Sequence, residues 1–459
     1  MDKLSTLGWV FLLLPTLATA TSLQVNQSEL QCDDRQGPIY CSLSAAIDAS
    51  NPGDDIHLSP GVYAGVLELN HDLQIHAESA EHTIIDGQGF GPVLRVAKSA
   101  KVSLSHLSII NGVANVGAGI FNHGQLNLQQ VVVRDNTANH RGGGIYNGGH
   151  GQVNLQIQHS RIENNVSLGD DGFNIRYGGG GIYNSAQLRI EDSLIQGNRA
   201  FENGGGLFTN TRLLDKQSQV TLKRVIIRQN EADYGGGINT HGGIEITDSR
   251  IVQNRAAQQA RSAGGGIFAH HSAALDVINS TIAQNHANAY GGGIRYYGIN
   301  EAFLQNVTVV DNSVDENGYG AGLFVLKQSS AFHIGHSIVA DNHDSKSRLA
   351  DCRGPLSSYG FNMINQVKLC DFQQQYGDII GSEAQPVQAG LVAQLDAEGQ
   401  LLAYKPSGQS QVIDAGDRAG CLSHSGEILK RDQLGAARIL DGNLDGAAVC
   451  DIGAVEFAQ

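Results

Sequence analysis

One phrase, Gly142-Gly143-Gly144-Ile145-Tyr146-Asn147, returns along the chain and constrains its fold more than any other feature. Variants begin at Gly117, Gly179, Gly204, Gly235, Gly264, Gly291 and Gly320, so successive steps are 25, 37, 25, 31, 29, 27 and 29 residues by subtraction. A period of about 20 to 50 residues is the mark of stacked supersecondary units. Each unit also holds two strand-like pieces, as in Leu188-Arg189-Ile190 and Ser193-Leu194-Ile195-Gln196-Gly197-Asn198, and no helical pattern.

The second of these pieces carries an apolar residue followed three positions later by asparagine. Ile162 with Asn165 recurs as Ile195 with Asn198, Ile227 with Asn230, Ile251 with Asn254, Ile282 with Asn285, Val309 with Asn312 and Val339 with Asn342. Asn136 stands at the equivalent place one unit earlier. Apolar residues two apart share a sheet face, and an Asn at fixed offset marks a corner. Three strands and three corners describe one coil of a parallel β-helix, in which each strand pairs with its equivalent about 4.8 Å away. The asparagines then form a ladder in which each amide donates to one neighbour and accepts from the other. A propeller needs four antiparallel strands and hairpin turns per unit, which the sequence lacks.

We therefore expect an all-β, right-handed parallel β-helix over residues 53–350, with about eleven coils and a length of roughly 50 Å. Residues 1–20 read as a signal peptide: Lys3, an apolar run from Leu7 to Leu17, then Ala18-Thr19-Ala20. Residues 21–52 read as an N-terminal cap, with a short amphipathic helix over Ser42–Ala49 closing the open sheet end. Residues 351–459 read as irregular last coils and a C-terminal cap. No other stretch is long and apolar enough for a membrane span. Six cysteines fall in three local pairs outside the repeats, Cys32 with Cys41, Cys352 with Cys370 and Cys421 with Cys450. An even count in an exported chain favours disulfides over metal ligation, and no Cys-x-x-Cys spacing is present.

The formal net charge of −15 argues against a nucleic-acid partner, whose phosphates require a basic footprint, and more weakly against a wholly polyanionic substrate, a sign that local Arg clusters can overcome. Function on a solenoid should sit on outward columns. In the glycine phrase the outward column is Phe121, Tyr146, Tyr183, Phe208, Asn239, Phe268, Arg295 and Phe324. The six rings are candidates for stacking on a glycan. Stacking on one another needs no ligand, and we favour that reading. A second column exposes Arg134, Arg161, Arg228 and Arg250, with Glu163 as a lone carboxylate. A third runs Asn127, Asn154, Arg189, Thr221, Glu245, Asp276, Phe303 and His333. Glu245 and Asp276 fall on successive coils, a spacing that would suit a retaining glycosidase pair, although exposed acids on a sheet are usually solvated. The histidines read as surface residues. Asp170 and Asp171 are the one calcium candidate, set against a plain acidic loop because calcium takes about six to eight oxygens. No other cofactor is indicated.

Both ends of the mature chain carry a resemblance. Cys41-Ser42-Leu43, Ala45-Ala46-Ile47, Gly53-Asp54-Asp55-Ile56-His57-Leu58 and Pro60-Gly61-Val62-Tyr63 resemble the N-terminal motif of exported bacterial β-helix proteins. Asp351-Cys352-Arg353-Gly354, Ser358-Tyr359-Gly360-Phe361-Asn362, Val412-Ile413-Asp414-Ala415-Gly416 and Cys450-Asp451-Ile452-Gly453-Ala454-Val455-Glu456 are similar to the choice-of-anchor Q type. The glycine repeats are similar to those of polymorphic outer-membrane proteins. This resemblance implies a pectin lyase-like fold at or beyond a bacterial envelope, periplasmic, surface-bound or secreted, and no particular reaction. The expectation is an exported, adhesin-like scaffold without catalysis, binding polysaccharide or a surface protein along an extended face. The alternative is a polysaccharide lyase or glycoside hydrolase. A lyase on this fold pairs a cationic base with calcium-binding acids on adjacent coils of one face, a cluster the columns do not contain.

Overall fold

The computed structural model describes residues 20–26, 33–35, 39–149, 152–169, 177–211, 220–270, 272–328 and 332–458. The leader (residues 1–19), Cys32 and the Asp170/Asp171 loop lie outside the described residues.

The chain is a right-handed parallel β-helix. A typical coil runs Ile145–Asn147, Asn154–Gln158 and Arg161–Glu163, which we term the glycine, long and short faces. A two-residue ladder follows, as in Val166–Ser167. Every strand pairs in parallel with its equivalent one coil on, for example Ile145 with Ile182 and Ile162 with Ile195. The short face stacks eleven strands from Gly61–Ala64 to Ile338–Ala340, then adds Met363–Ile364 and Ile379–Ile380.

Inward residues alternate with outward ones, so Ile157, Ile162 and Ile182 are buried in one continuous core. At the corner after the short face the asparagines stand in file. Each Nδ2 donates to the next Oδ1 at 2.9–3.0 Å from Asn136 to Asn342. A second file, Asn122, Asn147 and Asn184, marks the corner after the glycine face. The first glycine of each phrase turns the chain at positive φ. At Gly235 φ is +68° and a Cβ would lie 2.1 Å from the Ile238 carbonyl, so only glycine fits.

At the N-terminus, Ser42 caps the helix Leu43–Ala49 by accepting from the Ala45 N–H, and Leu43, Ala46 and Ile47 are buried. Cys41 is disulfide-bonded. At the other end Cys352 joins Cys370 across the last coils, and Cys421 joins Cys450.

The final stretch does more than close the end. From about Ala389 it runs back along the outside of the short face. The antiparallel hairpin Leu391–Leu395 and Leu401–Pro406 lays Leu401 and Tyr404 on Val252, Ala283 and Val310. Val412 and Ile452 cover Ile338 and Ala340. The outward apolar residues of those coils are thus interior, and four of the six cysteines belong to this returning wrap and the last coils.

Candidate functional site

The corner between the long and short faces requires a left-handed residue in every coil. His106, Gln130, His159, Asp192, Arg224, Asp248, Asn279, Asn306 and His336 occupy it in successive coils at φ between 48° and 57°. Asn, Asp and His tolerate this conformation best among residues with a Cβ. Their side chains form a file on the outside. Arg224 donates to both Asp192 oxygens at 2.5 and 2.7 Å, and Asn279 donates to Asp248 at 2.6 Å. The same Asn279 accepts from Arg438 of the returning segment.

Where that segment ends, a cleft of about 460 Å³ opens between it and the short face. Leu194 and Ile226, both half-buried, form its floor, and Gln433 and Leu434 form its far wall. Its charged rim comprises His159, Arg161, Asp192, Arg224, Asp248 and Arg250. The hydrogen bonds and charge of Arg224 hold the Asp192 carboxyl below its ordinary range, so the two neutralise each other. Burial lowers the Arg250 pKa, and its guanidinium donates to the carbonyls of Leu401 and Leu402 at 3.2 and 3.4 Å. Arg161 comes no nearer than 4.0 Å to Glu163, and 51% of its side chain is exposed. Among the described residues of the rim, its guanidinium is the cation least engaged by the protein.

Arg161 and Arg250 stand in the arginine column expected from the sequence. Arg134 is paired with Asp135, and Arg228 donates to Gln196 and to Gln400 of the hairpin. Sequence reasoning missed His159, Asp192, Arg224 and Asp248. Their signal was available: each lies three residues before the inward Ile of its coil, at Ile162, Ile195, Ile227 and Ile251.

The third column needs one register correction. Asn127 pairs with Gln156, not Asn154, because the long strand starts later in that coil. Glu245 and Asp276 are partners on adjacent strands, with Phe303 and His333 following. His424 of the returning segment lies 3.3 Å from Asp276 and stacks on Phe303. Burial pushes the Asp276 carboxyl up to about 6, against the pull of His424 and with the help of Glu245. Its Oδ1 is buried without a partner. The histidines are not all on the surface as expected: His336 is buried under the returning segment.

The aromatic column packs on itself. Phe121 stacks on Tyr146 at 5.2 Å and Tyr146 on Tyr183 at 5.3 Å. Tyr183, Phe208, Phe268 and Phe324 are buried, with Arg295 lying over Phe268 and Phe324. A sugar finds no open ring face at those four positions, which removes them as a glycan stripe.

Residues 93–282 match a family described as a right handed beta helix region. The metabotropic glutamate receptor-like protein P of Dictyostelium discoideum is 27% identical over 265 residues, which cover 54% of this chain and 17% of that protein. The chain thus spans about a sixth of that relative's length. Among solved structures, pectate lyase Pel9A is similar at 13% identity and a TM-score of 0.39, over 96% of this chain and 98% of that one. PfbA, a surface adhesin of Streptococcus pneumoniae, is similar at 12% identity and 0.39, over 79% and 90% of the two chains. The alginate lyase AlyGC follows at 15% identity and 0.37, over 80% and 55%.

Proposed function

We propose that this protein is an exported, non-catalytic β-helix scaffold at a bacterial envelope, of the choice-of-anchor Q type, that holds an acidic glycan in the cleft beside Arg161. The observation that carries this reading is an exposed guanidinium over an apolar floor, Leu194 and Ile226, in a concavity where Asp192, Arg224 and Arg250 are already engaged by the protein. A uronate sugar offers the complement: an apolar ring face for the floor and a planar carboxylate for a bidentate guanidinium. Asp192, Arg224 and Arg250 are engaged in holding the walls, which favours binding over proton transfer. The motifs at both ends of the mature chain support the envelope address.

Titration calorimetry with oligogalacturonate and oligoalginate, beside neutral oligosaccharides, tests this reading. Binding of an acidic oligomer, weakened at least tenfold by Arg161→Ala and by raised salt, is the expected result. Absence of acidic-oligomer binding, or binding indifferent to Arg161, overturns it.

A hydrolytic reading draws on one observation, the raised Asp276 carboxyl beside Glu245. A carboxyl with a raised pKa beside a second carboxylate-bearing residue is the kind of pair used in retaining glycoside cleavage. Release of reducing ends that disappears in both Glu245→Gln and Asp276→Asn would establish it and displace the non-catalytic reading.

A further inference from the structure

The outer surface of the long face has a uniform chemistry over two adjoining coils. Strands Gln125–Gln129 and Asn154–Gln158 turn six side chains outward: Gln125, Asn127, Gln129, Asn154, Gln156 and Gln158. All six are carboxamides. The pairing register sets them in three couples, Gln125 with Asn154, Asn127 with Gln156 and Gln129 with Gln158. Strand Lys101–Ser105 continues the surface with Lys101, Ser103 and Ser105.

We propose that this surface binds a linear neutral polysaccharide lying along the helix axis. The buried asparagine ladders show what amides on adjacent coils do when they serve the fold: they bond to one another at 2.7–3.0 Å. The outward couples do not. Among the described residues no side-chain hydrogen bond joins the members of any of the three. Asn127 donates to Ser103, Gln129 meets His159 and Gln158 donates to Glu191. The side-chain amides of Gln125, Asn154 and Gln156 bond to nothing in the described protein, and Asn127 Oδ1 is buried with no donor. A buried acceptor left unpaired is unfavourable, and a ligand hydroxyl would satisfy it.

The shape fits an extended ligand. Two adjoining depressions of about 470 and 240 Å³ both include Gln125 and Asn154 in their walls, and the second also includes Asn127 and Gln156. Among the described residues, the returning segment's hydrogen bonds to the β-helix begin at Arg228 and continue in the coils that follow, away from this surface. A carboxamide presents a donor and an acceptor side by side, which matches a pair of neighbouring sugar hydroxyls. The step of about 4.8 Å from coil to coil sets the two members of each couple one behind the other along the axis, so that they meet successive sugars. Lys101 is the lone charge among the nine outward positions, so neutral hydroxyls, not carboxylates, are what the surface complements.

Affinity electrophoresis of the whole protein through gels of xylan, glucomannan and mixed-linkage β-glucan, with pull-down on cellulose, tests the assignment. At least one of the four retards or captures the protein. The Asn127→Ala/Gln156→Ala double variant, with its unfolding midpoint unchanged, weakens that binding at least tenfold, whereas Arg161→Ala leaves it intact. Absence of binding to all four polymers overturns the proposal. So does binding that survives the double substitution, or that is lost with Arg161.

Discussion

Arg438 and Glu456 meet at 2.8 Å with 0% and 1% of their side chains exposed, and Arg438 also donates to Asn279 and to the Gly453 carbonyl. The pair ties two parts of the returning segment together, and the Arg438 hydrogen bond to Asn279 fastens that segment to the corner file of the β-helix. Together they join the last motif of the chain to a residue in the middle of the repeats.

Burial pushes the Glu456 carboxyl up to about 8 against the pull of Arg438, so Glu456→Gln should release that segment above this pH, where breaking a buried pair costs about 3–5 kcal/mol by stranding the other charge. The expected outcome is rapid proteolysis within residues 389–458 while the repeats persist. Replacing both partners with apolar residues of similar volume restores most of the protection. Limited proteolysis read by mass spectrometry checks both.

The asparagine ladder ends on an acid. Asn342 donates to Asp351 Oδ1 at 3.1 Å, and burial pushes the carboxyl up to about 7 from 3.8, against the hydrogen bonds of Asn342 and the Gln366 backbone. A raised acid favours the fold below the unfolded value, and that contribution is lost as pH rises through about 7. Asp351→Asn should therefore stabilise the protein at pH 8, by on the order of 2 kcal/mol, and have little effect near pH 4. Denaturant midpoints at the two pH values decide it.

His336 shows the opposite sensitivity. Burial holds its imidazole neutral and lowers it to about 4, and its Nε2 accepts from the Asp417 N–H at 3.3 Å. Asp417 and Asp378 pull its pKa up and Arg438 pushes it down. The stability it lends is present above 6.5 and is lost as pH falls toward 4. His336→Asn keeps a residue suited to the left-handed corner and should remove roughly 2–3 kcal/mol of acid sensitivity. Thermal midpoints between pH 7 and pH 4.5 measure the difference.

Two glycines with similar dihedral angles should respond differently to alanine. Gly235 has φ +68° and a backbone carbonyl 2.1 Å from a built Cβ, whereas Gly399 has φ +76° and nothing within 4 Å. Gly399→Ala should cost about 1 kcal/mol, the left-handed penalty alone. Gly235→Ala adds a clash with the next strand and should cost several times as much. Chemical denaturation of the two variants provides the comparison.

The coil was legible because residues one period apart in sequence are neighbours in space. Asn165 and Asn198 needed only their spacing to be placed together, and Glu245 with Asp276 likewise. The Asn154 misregister arose where a loop of different length precedes the strand, which periodicity cannot count. The cleft rim was missed for another reason. Corner residues such as Asp192 and Arg224 have no apolar alternation to betray them, only a fixed offset from the core Ile.

The order of strands, the asparagine file and the glycine wedges follow from the sequence alone, since like residues recur at the coil period and parallel stacking aligns them. Which outward residues meet solvent was decided by tertiary structure. The segment beyond about Ala389 has no periodic relation to the coils, so nothing in its spacing tells that His424 lies on Asp276 or that Leu401 covers Val252. Packing of an irregular chain on a regular face depends on shape and on buried polar matches such as Asn279 with Arg438, and these exist only once the β-helix has formed.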